Sequence, residues 1–212
     1  MNYQGAVVWG VIEMKKFLRM PTLIALSLVT ALLVSACAST RVTFTPATPP
    51  TPLCQTHGEH TSVLVLWSPQ WRPDQKDVLL REAAAGQGIS RFFSTSACFV
   101  QAEVRRVSFE AVSSQEQLQR LISGADRKPD RVLVLVVREL GPVIKLLPSL
   151  AFLEGGTEVI LNISEYHAQS ARLSQTFSVH WQNGGPGVVK GVASLPADME
   201  AALIASLGPE KE

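Results

Sequence analysis

Apolar residues along the chain gather into short runs separated by polar stretches rich in glycine or proline. Ser62-Val63-Leu64-Val65-Leu66-Trp67 is one such run, nearly unbroken and bounded by polar residues, as in a strand buried on both faces. Pro69 and Pro73 end it. Asp74 then offers an N-cap, and Val78, Leu79, Glu82 and Ala83 follow a helical course that Gly86 and Gly88 are expected to stop. Phe99–Phe109 is rich in β-formers, with Glu103, Arg105 and Arg106 marking an exposed face. Ser113-x-x-Glu116 and Ser114-x-x-Gln117 each match a capping box, and Leu118, Leu121 and Ile122 share one helical face before Gly124. Arg131–Arg138 (RVLVLVVR) is the strongest strand signal, apolar on both faces and so expected to be central.

The second half changes period. Thr157–Tyr166 and Arg172–Trp181 read as antiparallel strands; in the latter, Phe177, Val179 and Trp181 alternate with Thr176, Ser178 and His180. Asn183–Gly187 is predicted to turn the chain into a short strand at Val188–Val192. Pro196 opens a final helix through Leu207, closed by Gly208-Pro209. Gly141–Glu154 is apolar without a deciding period, and Pro142 and Pro148 argue against one long helix there. The order β-α-β-α-β, then antiparallel strands and a C-terminal helix, predicts a single α/β domain with a mixed sheet, α+β being the neighbouring alternative.

Upstream the pattern is different. Met14–Arg19 (MKKFLR) is basic, and no charged residue follows until Arg41. Pro21–Leu33 is an apolar block too short for a hydrocarbon core, which needs about 20 residues. Small residues surround Cys37: Ser35, Ala36, Ala38 and Ser39. A basic start, a short apolar middle and a small-residue end describe a signal peptide, with an uncleaved signal anchor as the alternative. The first thirteen residues lack the basic character of such a start, so Met14 is the expected true initiator.

Val34-Ser35-Ala36-Cys37 resembles the lipobox of bacterial lipoproteins. The resemblance implies diacylglycerol on the Cys37 thiol, cleavage before it and acylation of the new amino terminus. Several acyl chains on one residue, palmitate among them, anchor stably where one would be marginal. Ala38 rather than Asp after the cysteine implies sorting to the outer membrane, facing the periplasm. The expected division is a signal peptide over 1–36, a lipidated Cys37 with a Pro/Thr-rich tether over 37–53, and a periplasmic domain over 54–212.

Processing would remove Lys15, Lys16, Arg19 and Glu13, taking the formal net charge from +1 to about −1. No basic stripe remains, so nucleic acid is not an expected partner. Cys54 and Cys98 are left, and in an oxidising periplasm an isolated pair is most simply a disulfide. Closing that loop would contribute up to about 4 kcal/mol in the chain-entropy model. Cys54, His57 and His60 also form Cys-x2-His-x2-His, three metal-ligand types, although the paired spacing and fourth ligand of a structural zinc site are missing. No cofactor motif is present.

The order of elements over Ser62–Leu207 is similar to the compact α/β domain of envelope lipoproteins. Examples are the curli-secretion lipoprotein, activators of penicillin-binding proteins and the N-terminal domain of the Tol-associated propeller protein. The likeness is one of pattern, with no residue motif to transfer, and it implies a fold and a binding role.

Catalytic constellations are sparse. There is no G-x-S-x-G or phosphate-loop motif, His180 points outward on its expected strand, and His167 falls near a hairpin turn. Glu154, Glu158 and Glu165 are spread along one hairpin. The most distinctive loop, Trp67–Pro73, leaves a parallel-type strand, where ligand crevices often form. Trp67, Trp71 and Arg72 are therefore candidate partner-binding residues, against the reading that Trp67 and Trp181 fill the core and Trp71 packs over its edge. Two functions follow. One is a non-enzymatic, membrane-anchored accessory protein binding another envelope protein or cell-wall component. The other is a periplasmic enzyme or small-ligand binder using the Trp67–Arg72 loop.

Overall fold

The computed structural model describes residues 38–46, 51, 53, 61–147 and 152–208, all within the unit Ala38–Glu212. In chain order the elements are β1 (Ser39–Thr45), β2 (Thr61–Pro69), α1 (Val78–Thr95), β3 (Phe99–Arg106), α2 (Phe109–Ser113) and α3 (Gln115–Ser123). They continue with β4 (Arg131–Leu147), β5 (Phe152–His167), β6 (Leu173–Pro186) and α4 (Leu195–Leu207). The strands form one six-stranded mixed sheet in the order β1-β6-β5-β4-β2-β3. β2 runs parallel to β3 and β4, while β4, β5, β6 and β1 pair antiparallel. The fold class is the expected α/β one.

Burial explains the pattern. On one face α1 and α4 pack over Val63, Val65, Trp67, Leu133, Leu135, Leu161, Val179 and Trp181. On the other, α2 and α3 place Val112 and Leu118 against Leu64, Leu66, Val132 and Val134. β2 and β4 are covered on both faces and therefore read as unbroken apolar runs, whereas β6 is covered on one and alternates. At their starts, the backbone N–H and hydroxyl of Ser62 both donate to Asp130 Oδ2, at 2.8 and 2.7 Å. This holds Asp130 below its ordinary pKa, because the ionised carboxylate accepts both bonds.

Several expectations need correction. The first helix does not stop at Gly86 and Gly88 but runs on to Thr95. Gly88 is there for contact: a Cβ would come within 2.5 Å of the Pro196 carbonyl oxygen and 2.7 Å of Met199 Cβ. The residue before this helix is Asp77, in a left-handed conformation, rather than Asp74. β3 ends at Arg106, and Ser108 caps a short helix by accepting from the Ala111 N–H. Ser114 accepts from the Gln117 N–H, as the capping pattern predicts.

The ambiguous stretch after Gly141 is strand on both sides: β4 continues to Leu147 and β5 starts at Phe152, in register from Gly141↔Glu158 to Leu147↔Phe152. Asn183–Pro186 is not a turn but the end of β6, and 188–192 is not a strand. Gly184 and Gly185 pair with Gly156 and Gly155, so runs of glycine that resemble a turn lie side by side in the sheet.

The tether is also corrected in part. Ser39–Thr45, expected to hang free, is the edge strand β1, antiparallel to β6 from Ser39↔Gly184 to Thr45↔Ser178. Val42 and Phe44 pack against the core, and the Phe44 ring centroid lies 6.2 Å from that of Phe177. The prolines after Thr45 mask a strand whose apolar residues alternate with threonine.

Candidate functional site

α2 and α3 cover β2 and β4 but, among the described residues, no helix covers the same face of β5, β6 and β1. The cross-strand pairs on this face are Glu158↔Gln182↔Arg41, Ile160↔His180↔Thr43 and Asn162↔Ser178↔Thr45. Alternation places polar residues here because the opposite positions, Val159, Leu161, Val179 and Trp181, are consumed by the core under α1 and α4.

Where this open face meets α2 lies a groove of about 520 Å³, within the range of ligand sites. Val134 and Val136 of β4 line one side with Phe109 and Val112 of α2. Asn162, Ser164 and Tyr166 of β5, Thr176 and Ser178 of β6, and Thr45 line the other. None of the lining residues is charged. Ser178 Oγ donates to Asn162 Oδ1 at 2.9 Å, and the Ser164 and Thr176 hydroxyls share a bond of 2.9 Å. The groove thus sets the valines of β4 beside a ladder of neutral donors and acceptors on β5 and β6.

Further along the same face, His180 Nε2 lies 2.5 Å from Glu158 Oε1, which also accepts from Gln182 Nε2 at 3.2 Å. The His180 side chain keeps 42 % of its surface exposed. A carboxylate-oriented histidine is one part of a hydrolytic set, but the neighbouring Ser178 hydroxyl is committed to Asn162. His167 sits elsewhere, in a polar hollow of about 650 Å³ with Asp130, Arg131 and Glu165. There Glu165 pairs with Arg131 at 3.3 Å and accepts from Gln175 at 2.9 Å.

The loop after β2 is latched to β4 through Glu139. Trp67 is only 5 % exposed, with Gly86 against its ring and the Arg106 guanidinium 5.9 Å from its centroid. Trp71 is half-buried against the core and Trp181 is 2 % exposed. Arg72 reaches Glu139 Oε2 at 3.2 Å, while Glu139 Oε1 takes Arg81 Nη1 at 3.2 Å and Gln75 Nε2 at 2.9 Å. A register shift between Val137 and Glu139 accompanies this change from the apolar run of β4 to a buried carboxylate. The Arg81 guanidinium also donates to the Leu140 carbonyl at 2.5 Å, occupying the space a side chain at Gly141 would fill. Of the three candidate residues here, Trp67 is buried, Trp71 is half-buried, and Arg72 is exposed and ion-paired; the neutral groove was not foreseen. Its only signal was the Ser/Thr/Asn alternation of β5 and β6.

Cys37, Cys54, His57 and His60 lie outside the described residues. Cys98 is half-buried against the core and is engaged rather than free.

No protein-family model and no curated protein matches the chain. Among solved structures it is similar to a PelC dodecamer from Paraburkholderia phytofirmans, at 11% identity over 82% of this chain and 99% of that one, with a TM-score of 0.39. It is also similar to a lipoprotein from Neisseria meningitidis, at 14% identity over 68% and 96% of the two chains, TM-score 0.33. A DUF330 protein from Xanthomonas campestris matches at 18% identity over 82% and 89%, TM-score 0.35. At these values the likenesses assign no activity to this chain.

Proposed function

We propose that the chain is a lipid-anchored bacterial envelope protein that binds a partner without transforming it, with the groove between α2 and the open face as its binding site. The observation that carries this reading is the groove itself: an uncharged hollow on a sheet face whose histidine and serine do not come together as a catalytic set. A neutral, extended segment of another envelope protein or of a cell-wall component suits hydroxyl and amide side chains set beside valines. The anchor is supported by the basic leader, the short apolar block and Val34-Ser35-Ala36-Cys37. Ala38 after the cysteine supports the outer membrane as its location. A Cys54–Cys98 bridge is part of the proposal, supported by the engaged, half-buried Cys98.

Affinity capture from detergent-solubilised envelopes, run side by side on the native chain and on Asn162→Trp, tests the binding role. The native chain is expected to retain a partner that the groove-filling variant loses. Equal recovery by both would remove the groove from the proposal.

A further inference from the structure

We infer that β1 is a self-pairing edge: two copies of the chain join β1 to β1 antiparallel, about a two-fold axis through Val42, into one continuous sheet. The inference is independent of the groove and of the anchor, and it comes from the two ends of the sheet. β3 forms one end and β1 the other. A sheet edge offers unpaired backbone donors and acceptors, and native proteins guard it with charge, bulges or proline. β3 is guarded. Arg105 pairs with Glu103 and Asp126, Arg106 pairs with Glu82, and the register with β2 shifts between Thr61 and Ser62. β1 is not. It follows β6 without a break from Ser39↔Gly184 to Thr45↔Ser178, holds neither proline nor carboxylate, and has Arg41 as its one charge. Among the described residues, no strand pairs with its outer edge.

Symmetry and sequence name the occupant. A two-fold axis normal to the sheet keeps every residue on its own face, so even-numbered positions must meet even ones and odd meet odd. Centred on Val42, all seven residues of Ser39–Thr45 find partners: Val42 meets Val42 of the second copy, Arg41 meets Thr43, Thr40 meets Phe44 and Ser39 meets Thr45. Centred on Arg41, two guanidinium groups would stand directly opposite, which is destabilising. Centred on Thr43, Ser39 and Thr40 would lose their partners. The apolar positions favour the same register. Val42 and Phe44 pack against the core yet are only partly buried, since β1 has a neighbour on one side alone. Each Phe44 then lies diagonal to Val42 of the second copy, within reach of an aromatic ring, and the two cores meet over residues that one chain leaves half-covered. An unrelated strand would have to match this pattern of face and charge; a second copy carries it already. The open faces of the two copies join into one polar trough, with α2 and α3 of each at its ends.

The test is analytical sedimentation of the full chain in density-matched detergent, native against two variants of Thr43, an exposed residue set opposite Arg41 of the second copy. The native chain is expected to form a dimer in exchange with monomer. Thr43→Glu sets a carboxylate beside each guanidinium and is expected to tighten the dimer, while Thr43→Lys sets like charges there and is expected to loosen it. With two such contacts per dimer, each shift is about two- to thirty-fold in Kd. Salt screens exposed charges, so the gap between the variants should narrow as ionic strength rises. A native chain that stays monomeric at every concentration overturns the inference and leaves the edge to a strand of another protein. Two variants that move Kd in the same direction, or leave it unchanged, overturn the Val42 register and with it the second copy as occupant.

Discussion

Gly88 of α1 lies flat against Met199 of α4, close enough that a Cβ on the glycine would come within 2.7 Å of the methionine Cβ. The two helices that roof one face of the sheet meet at this point. Gly88→Ala would gain up to about 1 kcal/mol of helix propensity, yet the backbone carbonyl of Pro196 cannot swing aside as a side chain can. The variant is expected to be destabilised by about 1–3 kcal/mol. Thermal unfolding should show it as a fall of several degrees, and an unchanged or higher Tm would remove the close approach as the reason for the glycine.

The role of β1 has a direct test. Phe44 contributes to the core from a segment that looks like a tether. Phe44→Ala is expected to cost about 1–2 kcal/mol, less than a fully buried phenylalanine. Denaturant unfolding would show a lower midpoint, whereas a free tether would show none.

Glu139 and Arg81 are both nearly buried, while Arg72 is mostly exposed. Removing the carboxylate with Glu139→Ala leaves the Arg81 guanidinium without its charge partner, a loss of about 3–5 kcal/mol for a buried pair. Arg72→Ala removes an ion pair open to water and should cost less than about 1 kcal/mol. Urea unfolding of both variants checks the ranking; equal effects would contradict the latch.

Asp130 is lowered mainly by the Ser62 hydroxyl and then by the Ser62 backbone N–H, against an opposing effect of burial and with a lesser contribution from the charge of Lys128. A carboxylate depressed in the folded state favours folding above its unfolded pKa, near 4, and loses that contribution as pH falls through the folded value. Ser62→Ala should raise the Asp130 pKa and flatten this part of the acid dependence of stability. NMR titration of the Asp130 carboxyl reads the shift directly, and an unmoved pKa would reject the hydroxyl as its main cause.

Mass mapping of periplasmic material tests the proposed bridge: peptides containing Cys54 and Cys98 are expected to be joined until reduced. Two free thiols would reject it and restore interest in Cys54, His57 and His60 as metal ligands.

What the chain announces locally is what solvent exposure alone imposes. Strands covered on both faces must be apolar throughout, so β2 and β4 are legible from Val63–Trp67 and Val132–Val137, and Ser114 reveals the cap of α3 through its own hydroxyl. The proposed anchor likewise rests on a linear signal, Val34-Ser35-Ala36-Cys37. The tertiary structure decided whatever depends on a distant neighbour. Gly88 looks like a helix stop until Met199 is seen against it, and the glycines at 155, 156, 184 and 185 look like turns until their strands pair. β1 and the groove belong to the same class. Phe44 finds the core only beside β6, and Val134 comes to line one groove with Asn162 and Ser178 only once β5 pairs with β4 and β6 with β5. Residues far apart in sequence carry no shared local period, so their contact is set by the sheet order and not by any stretch of the chain.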